Sequence, residues 1–146
     1  MSELTVRIRK HQERLQDQAA GRRAAERLAM ASAEQWQKSH LALLAALNEA
    51  NAEFKNAGLQ HSFRYQPASG FIAKGTLSHI EPEGHFSETQ IDVDPDATIT
   101  IHRMHWHDHT LPPAKVAICE MDHLAWGNLL TEIYDADMLE TLKRSS

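Results

Sequence analysis

Four histidines within eight residues form the strongest chemical signal in this chain. The sequence has ten histidines among 146 residues, and the segment 102–109 holds four of them. Side chains alternate along an extended strand, so His105, His107 and His109 would point to one face. Imidazoles at that spacing bind Zn²⁺ or a similar borderline metal. The spacing therefore predicts a divalent-metal site, with Zn²⁺ as the candidate cofactor.

A hairpin would add a further histidine to this site. If the turn at residues 94–97 pairs Val93 with Ile99, the same antiparallel register places His85 opposite His107. His85 is therefore an additional candidate metal ligand.

The same segment also has a structural interpretation that needs no metal. Either the strand is buried on both sides, or a β-bulge near His102 would turn Met104 and Trp106 toward the core. His105 and His107 would then be ordinary polar residues on the solvent face. The sequence contains neither His-Glu-x-x-His nor Gly-x-Ser-x-Gly, which are patterns of metalloproteases and serine hydrolases. No catalytic residue is assigned.

The elements that would position these histidines follow from the distribution of glycine and proline. Residues 1–57 contain no proline and one glycine, Gly21, whereas residues 58–146 carry all five prolines and the other five glycines. A long alanine- and leucine-rich stretch without proline is typical of helix, and regular turn signals are typical of short strands.

The helical part has two sections with different composition. From Trp36 to Ala57, apolar residues recur at helical spacing, and Leu41 and Leu44 widen this stripe. The stripe of the first section is poor in large apolar side chains: Leu4, Ile8, His11, Leu15, Gln18, Arg22, Ala25 and Ala29. We therefore expect residues 1–31 to form a projecting, self-associating helical arm, and residues 32–146 to form a single α+β domain.

Two arrangements of the helical part are compatible with the sequence. A continuous helix of about 55 residues would be about 80 Å long, whereas a compact chain of this size has a diameter of roughly 40 Å. Such a helix would overhang its own domain and pair with a second copy. Alternatively, the capping-box pattern from Ser32 to Gln35 would start a second helix after a break near Met30.

The second part of the chain predicts an antiparallel meander of about five strands, at residues 59–65, 71–80, 85–93, 98–107 and 115–119. Turn signals at 66–70, 81–84, 94–97 and 110–113 separate them. A C-terminal helix packed on the sheet follows, with Asp122 as its N-cap. Its expected buried side comprises Leu124, Trp126, Leu129, Leu130, Ile133 and Tyr134. The predicted fold class is α+β.

The charge and composition of the chain restrict the classes of partner that it could bind. Residues 1–57 carry nine basic and seven acidic side chains, and residues 58–146 carry six and thirteen. An acidic sheet argues against nucleic acid as the main partner. No apolar run is long enough for a membrane span, and no secretory signal begins the chain, so we expect a cytoplasmic protein. The single cysteine, Cys119, follows an apolar run and is expected to be buried.

The sequence thus favours a non-enzymatic protein that forms a homodimer through its N-terminal helix and binds another protein. The alternative is a metal-binding protein or metal-dependent enzyme that uses the strand at 102–109. A third hypothesis is a nucleic-acid-associated regulator that uses the basic residues between Arg7 and Arg27.

Overall fold

The computed structural model describes residues 2–104 and 113–145. It consists of a long helix, five strands and a second long helix: α1 (Glu3–Asn56), β1 (Ser62–Ala68), β2 (Ala73–Ile80), β3 (Phe86–Val93), β4 (Thr98–Met104), β5 (Ala114–Ala117) and α2 (His123–Ser145). Short 3₁₀ turns lie at Pro82–Gly84 and Ile118–Glu120. The predicted α+β class and element order are confirmed.

The strands form one antiparallel meander in the order β1-β2-β3-β4-β5. The hairpin of β3 and β4 pairs Val93 with Ile99, the register that was the condition for placing His85 opposite His107. This register continues without offset to the pair of Glu88 and Met104. The described part of β4, which ends at Met104, therefore contains no bulge, and the bulge expected near His102 is not found there.

One face of the sheet carries the core. Leu77, Ile91 and Ile99, from three adjacent strands, are fully buried, and the second half of α1 together with α2 covers them. Between the two helices, Trp126 Nε1 donates a hydrogen bond of 2.9 Å to Ser39 Oγ. Each large apolar side chain buried in this way contributes about 1.5 to 3 kcal/mol.

The helix α1 is continuous, so the alternative with a break near Met30 is excluded. The Ser2 side chain caps its first turn by accepting a hydrogen bond from the Thr5 amide. At 1.5 Å per residue, its 54 residues extend for about 80 Å. Ser32 does not cap a new helix; its hydroxyl accepts a 2.7 Å hydrogen bond from the Ala97 amide and lies 3.0 Å from the Pro95 carbonyl oxygen. Ser32 instead links α1 to the turn between β3 and β4 by these hydrogen bonds.

The first predicted turn was displaced, because β1 runs through Pro67, which lies opposite Gly75 of β2. Proline is tolerated there because β1 is an edge strand, whose outer amides need no partner. Gly75 is required at this position because a Cβ atom there would collide with the ring of Tyr65.

Several expected buried side chains lie on the surface instead. Leu41 and Leu44 are exposed because the sheet and α2 cover only one side of α1. Leu124 is exposed as well, since the core face of α2 is set by Trp126, Leu130 and Ile133. Cys119 is exposed and the preceding Ile118 is buried in its place.

Candidate functional site

The first part of α1 is a solvent-exposed helical surface. All side chains of residues 2–18 are exposed. Among them, Leu4 and Leu15 retain 68% and 65% of their accessible area, and Ile8 retains 48%. Residues 2–18 therefore present large apolar side chains that the described remainder of the chain does not bury, and we call residues 1–31 the N-terminal arm.

The apolar stripe of the arm is a direct extension of the buried face of α1. Steps of three and four residues lead from Leu4 to Ser32 and then to Trp36, both of which are buried. Over the 32 residues between Leu4 and Trp36, a regular helix rotates this line of side chains by only about 40°. The face that packs against the core thus continues along the arm, where the domain no longer covers it.

A groove between α1 and α2 is the second surface feature. It has a volume of about 620 Å³. Its apolar lining includes Ala50, Phe54, Leu59, Leu124 and Tyr134. Its acidic lining consists of Glu49, Glu53 and Asp135. His123 also lines the groove, and its Nε2 atom lies 2.9 Å from Glu49 Oε2. We call this feature the α1/α2 groove.

The third feature is a buried polar network between the sheet and α2. His79 of β2 and Ser87 of β3 are directly paired across the sheet, and both face Asp137 of α2. The Nδ1 atom of His79 lies 2.7 Å from Asp137 Oδ2, and Ser87 Oγ donates to the same oxygen. Since the carboxylate accepts both bonds, Nδ1 of His79 carries a proton. Hydrogen bonding of this kind offsets the cost of burying the carboxylate.

His61 extends the network toward the surface. Its Nδ1 atom lies 3.0 Å from Nε2 of His79, and the two rings are stacked. Partial burial lowers the pKa of His61 below its ordinary value, and His79 lowers it further, whereas Glu81 acts in the opposite direction. Two adjacent imidazolium ions would repel each other. Asp137, His79 and His61 therefore form one continuous chain of polar contacts from the interior toward the surface.

The sequence carried signals for this network that were missed. Asp137 follows Ile133 by four residues and so continues the buried stripe of α2. His79 lies two residues after the buried Leu77 and therefore points to the same face of β2. A carboxylate and an imidazole at core positions indicate pairing, because neither is buried without a partner.

Most of the histidines predicted to bind metal fall on a segment that is not described. His105, His107 and His109 lie outside the described residues. His85 follows the 3₁₀ turn at Pro82–Gly84 and immediately precedes β3. Within residues 2–104 and 113–145, no group of three or more histidine, cysteine, aspartate or glutamate side chains is arranged to hold a metal ion. The metal site remains a prediction from the sequence.

The described helices also bear on membrane association. Neither α1 nor α2, over the residues described, contains an apolar stretch sufficient to cross a bilayer.

Comparison with known proteins assigns no family to this chain. No protein-family model matches it, and no significant match was found among curated proteins or solved structures. The surfaces described above are therefore the basis for a functional proposal.

Proposed function

We propose that this protein is a non-enzymatic interaction protein that forms a homodimer through its N-terminal arm and presents its acidic α+β domain to another protein. The observation that carries the proposal is the exposed apolar stripe of the arm, which continues the buried face of α1 beyond the domain. Exposed apolar surface in a regular pattern is typical of a surface that associates.

The stability of the arm supports the same conclusion. Isolated helices are marginally stable in water, and most helices in proteins are stabilised by packing an apolar face. The described contacts within the arm are local, such as the 2.9 Å ion pair between Arg7 and Glu3. An exposed pair of this kind contributes at most about 0.5 kcal/mol. Packing against a second copy would supply the missing stabilisation.

The composition of the stripe limits the strength of this association. Gln18 and Arg22 occupy stripe positions between Leu15 and Ala25. Polar side chains at such positions weaken a helical interface and select one register. We therefore expect a reversible dimer, with most of the apolar contact made by Leu4, Ile8 and Leu15.

Mass measurement in solution tests the proposal. We expect size-exclusion chromatography with light scattering to give twice the chain mass of 16.5 kDa for the full-length protein. A chain that begins at residue 25 keeps the hydrogen bonds of Ser32 to the β3–β4 turn and should be a folded monomer. If the full-length protein is still a monomer at about 100 μM, a concentration at which even a weak dimer would form, the proposal is excluded.

A series of substitutions tests whether the dimer interface is the apolar stripe of the arm. The triple variant L4Q/I8Q/L15Q should be monomeric, because glutamine preserves helix propensity but removes the apolar contacts. Leu41→Gln is the matched control, since Leu41 is an equally exposed leucine of the same helix outside the arm. A triple variant that dimerises as well as the control would remove the stripe from the explanation.

A further inference from the structure

From the chemistry of the two surfaces we infer that the arm of one copy docks in the α1/α2 groove of the second copy. This inference rests on the proposed homodimer and names the surface that receives the arm. It goes beyond a simple pairing of the two arms, because it assigns a function to a groove at the opposite end of α1.

The groove has the chemistry of a receptor for an amphipathic helix. Leu124 and Leu59 line it and are exposed, with 70% and 43% of their area accessible. Phe54 and Tyr134, both half-buried, add aromatic surface. A hydrophobic groove is a recurring binding site for an amphipathic helix, which inserts side chains spaced by three and four residues, such as i, i+4 and i+7.

The arm has the matching pattern. Leu4, Ile8, His11 and Leu15 stand at i, i+4, i+7 and i+11. They therefore lie on one side of the exposed helix, and three of the four are large apolar residues.

The charges of the two surfaces are complementary. Residues 1–31 contain seven basic and four acidic side chains and so carry a net charge of +3. The groove contributes Glu49, Glu53 and Asp135. Arg7 and Arg14 each precede a stripe residue by one position and therefore flank the stripe. Opposite charges of this kind accelerate encounter and select orientation.

The occupant must come from a second chain. Ile8 and Ala50 are 42 positions apart in the continuous helix α1, which corresponds to about 63 Å. A straight helix cannot bring its own first turns back to its last turns. Reciprocal docking of two copies closes the assembly, because each chain then provides one arm and one groove.

Cross-linking tests the contact directly. In a Cys119→Ser background, the I8C/L124C variant places one cysteine on the arm stripe and one at the groove. We expect mild oxidation or a short bismaleimide to give a covalent dimer of the full-length chain. I8C/L41C is the matched control, because Leu41 is exposed to the same extent as Leu124 but lies outside the groove. The control should cross-link at least about tenfold more slowly, the factor expected for a site outside the interface.

The outcomes separate the two proposals. A dimer by light scattering in which I8C/L124C cross-links no faster than I8C/L41C overturns the docking inference and leaves the homodimer intact. A full-length monomer overturns both.

Charge reversal provides an independent readout. E49K/E53K should raise the dimer dissociation constant by about tenfold or more, the size of effect seen for charge pairs at interfaces. Combining it with R7E/R14E should recover part of the affinity, and circular dichroism checks that both variants keep their helix content. An unchanged dissociation constant for E49K/E53K excludes the groove as the docking surface.

Discussion

His79 and Asp137 are 58 positions apart in the sequence, and their side chains meet at 2.7 Å between Nδ1 and Oδ2 in the interior of the protein. Their side chains are almost inaccessible, with 0% and 5% of their area exposed. The pair attaches α2 to β2, and the His79 ring also contacts the rings of Phe54, Phe63 and Tyr134. Ser87 joins the same carboxylate from β3.

We expect Asp137→Asn to lower the free energy of unfolding by about 2 to 3 kcal/mol, because it weakens two hydrogen bonds to a buried carboxylate. Urea denaturation followed by circular dichroism measures this difference. Glu132→Gln, an exposed position on the same helix, is the control and should change stability by less than about 0.5 kcal/mol. Equal effects of the two substitutions would contradict a stabilising role for the network.

The stability should also depend on pH through His61. Its pKa in the folded protein is lower than the ordinary value of 6.5, so near this pH the unfolded chain binds more protons than the folded chain. Stability therefore rises with pH in this range. The contribution is present above 6.5 and is lost as the pH falls through the folded-state pKa.

A pH series of urea denaturations on the wild type and His61→Asn tests this dependence. We expect the variant to show a flatter profile between about pH 5 and 7, the range in which histidine titrates. His79 lowers and Glu81 raises the pKa of His61, so the substitution removes the group on which both act. Parallel profiles for the two proteins would exclude His61 as the titrating group.

Ala97 is expected to be a position where glycine stabilises the protein. It adopts a φ of 65°, a conformation that costs about 1 to 2 kcal/mol for residues with a Cβ atom. Ala97→Gly keeps the backbone hydrogen bonds to Ser32 and Ile118 and should raise the thermal midpoint. Ala45→Gly, in the exposed face of α1, should instead lower stability by about 1 kcal/mol. Thermal denaturation measures the direction of the change in the midpoint for both variants. Destabilisation by Ala97→Gly would contradict the strain assigned to this turn.

The histidine segment makes a separate prediction about metal. If His105, His107 and His109 bind Zn²⁺ with His85, protein purified without a histidine tag should contain about one metal ion per chain, as one such ligand set holds a single ion. Added Zn²⁺ should raise its thermal midpoint, and EDTA should reverse the rise. H105A/H107A should abolish both effects, while His11→Ala on the arm should change neither. Elemental analysis without bound metal, together with no thermal shift, would end the metal hypothesis.

The element order could be predicted because several local signals agreed. Proline and glycine marked the turns, and Ile99 and Ile101 marked the buried face of β4. The continuity of α1 could not be deduced. Ser32 satisfies a capping pattern, but its hydroxyl bonds to the Ala97 amide, a partner 65 residues away. A local pattern contains no information about such a tertiary competitor.

The candidate sites were less predictable than the fold. The arm was inferred because the stripe from Leu4 to Ala29 has few large apolar residues, which is a property of the sequence alone. The α1/α2 groove depends on where two distant helices diverge, and the exposure of Leu124 could not be read from its helical spacing. The network of His79 and Asp137 was missed from the sequence. Each is a single polar residue within an apolar stripe, and the two stripes are far apart in the chain, so the two residues were not considered as a pair.

Because α1 is continuous, the orientation of the arm is set by the part of the same helix that packs inside the domain. From Ser32 to Leu4 the helix extends for about 42 Å. The hydrogen bond between Ser32 and Ala97 lies at the base of this segment. A change of about 5° in the angle of α1 at this point would displace Leu4 by about 4 Å, roughly the distance between adjacent side chains. The direction in which the arm points is therefore sensitive to the β3–β4 turn, although Leu4 lies about 42 Å along the helix from Ser32.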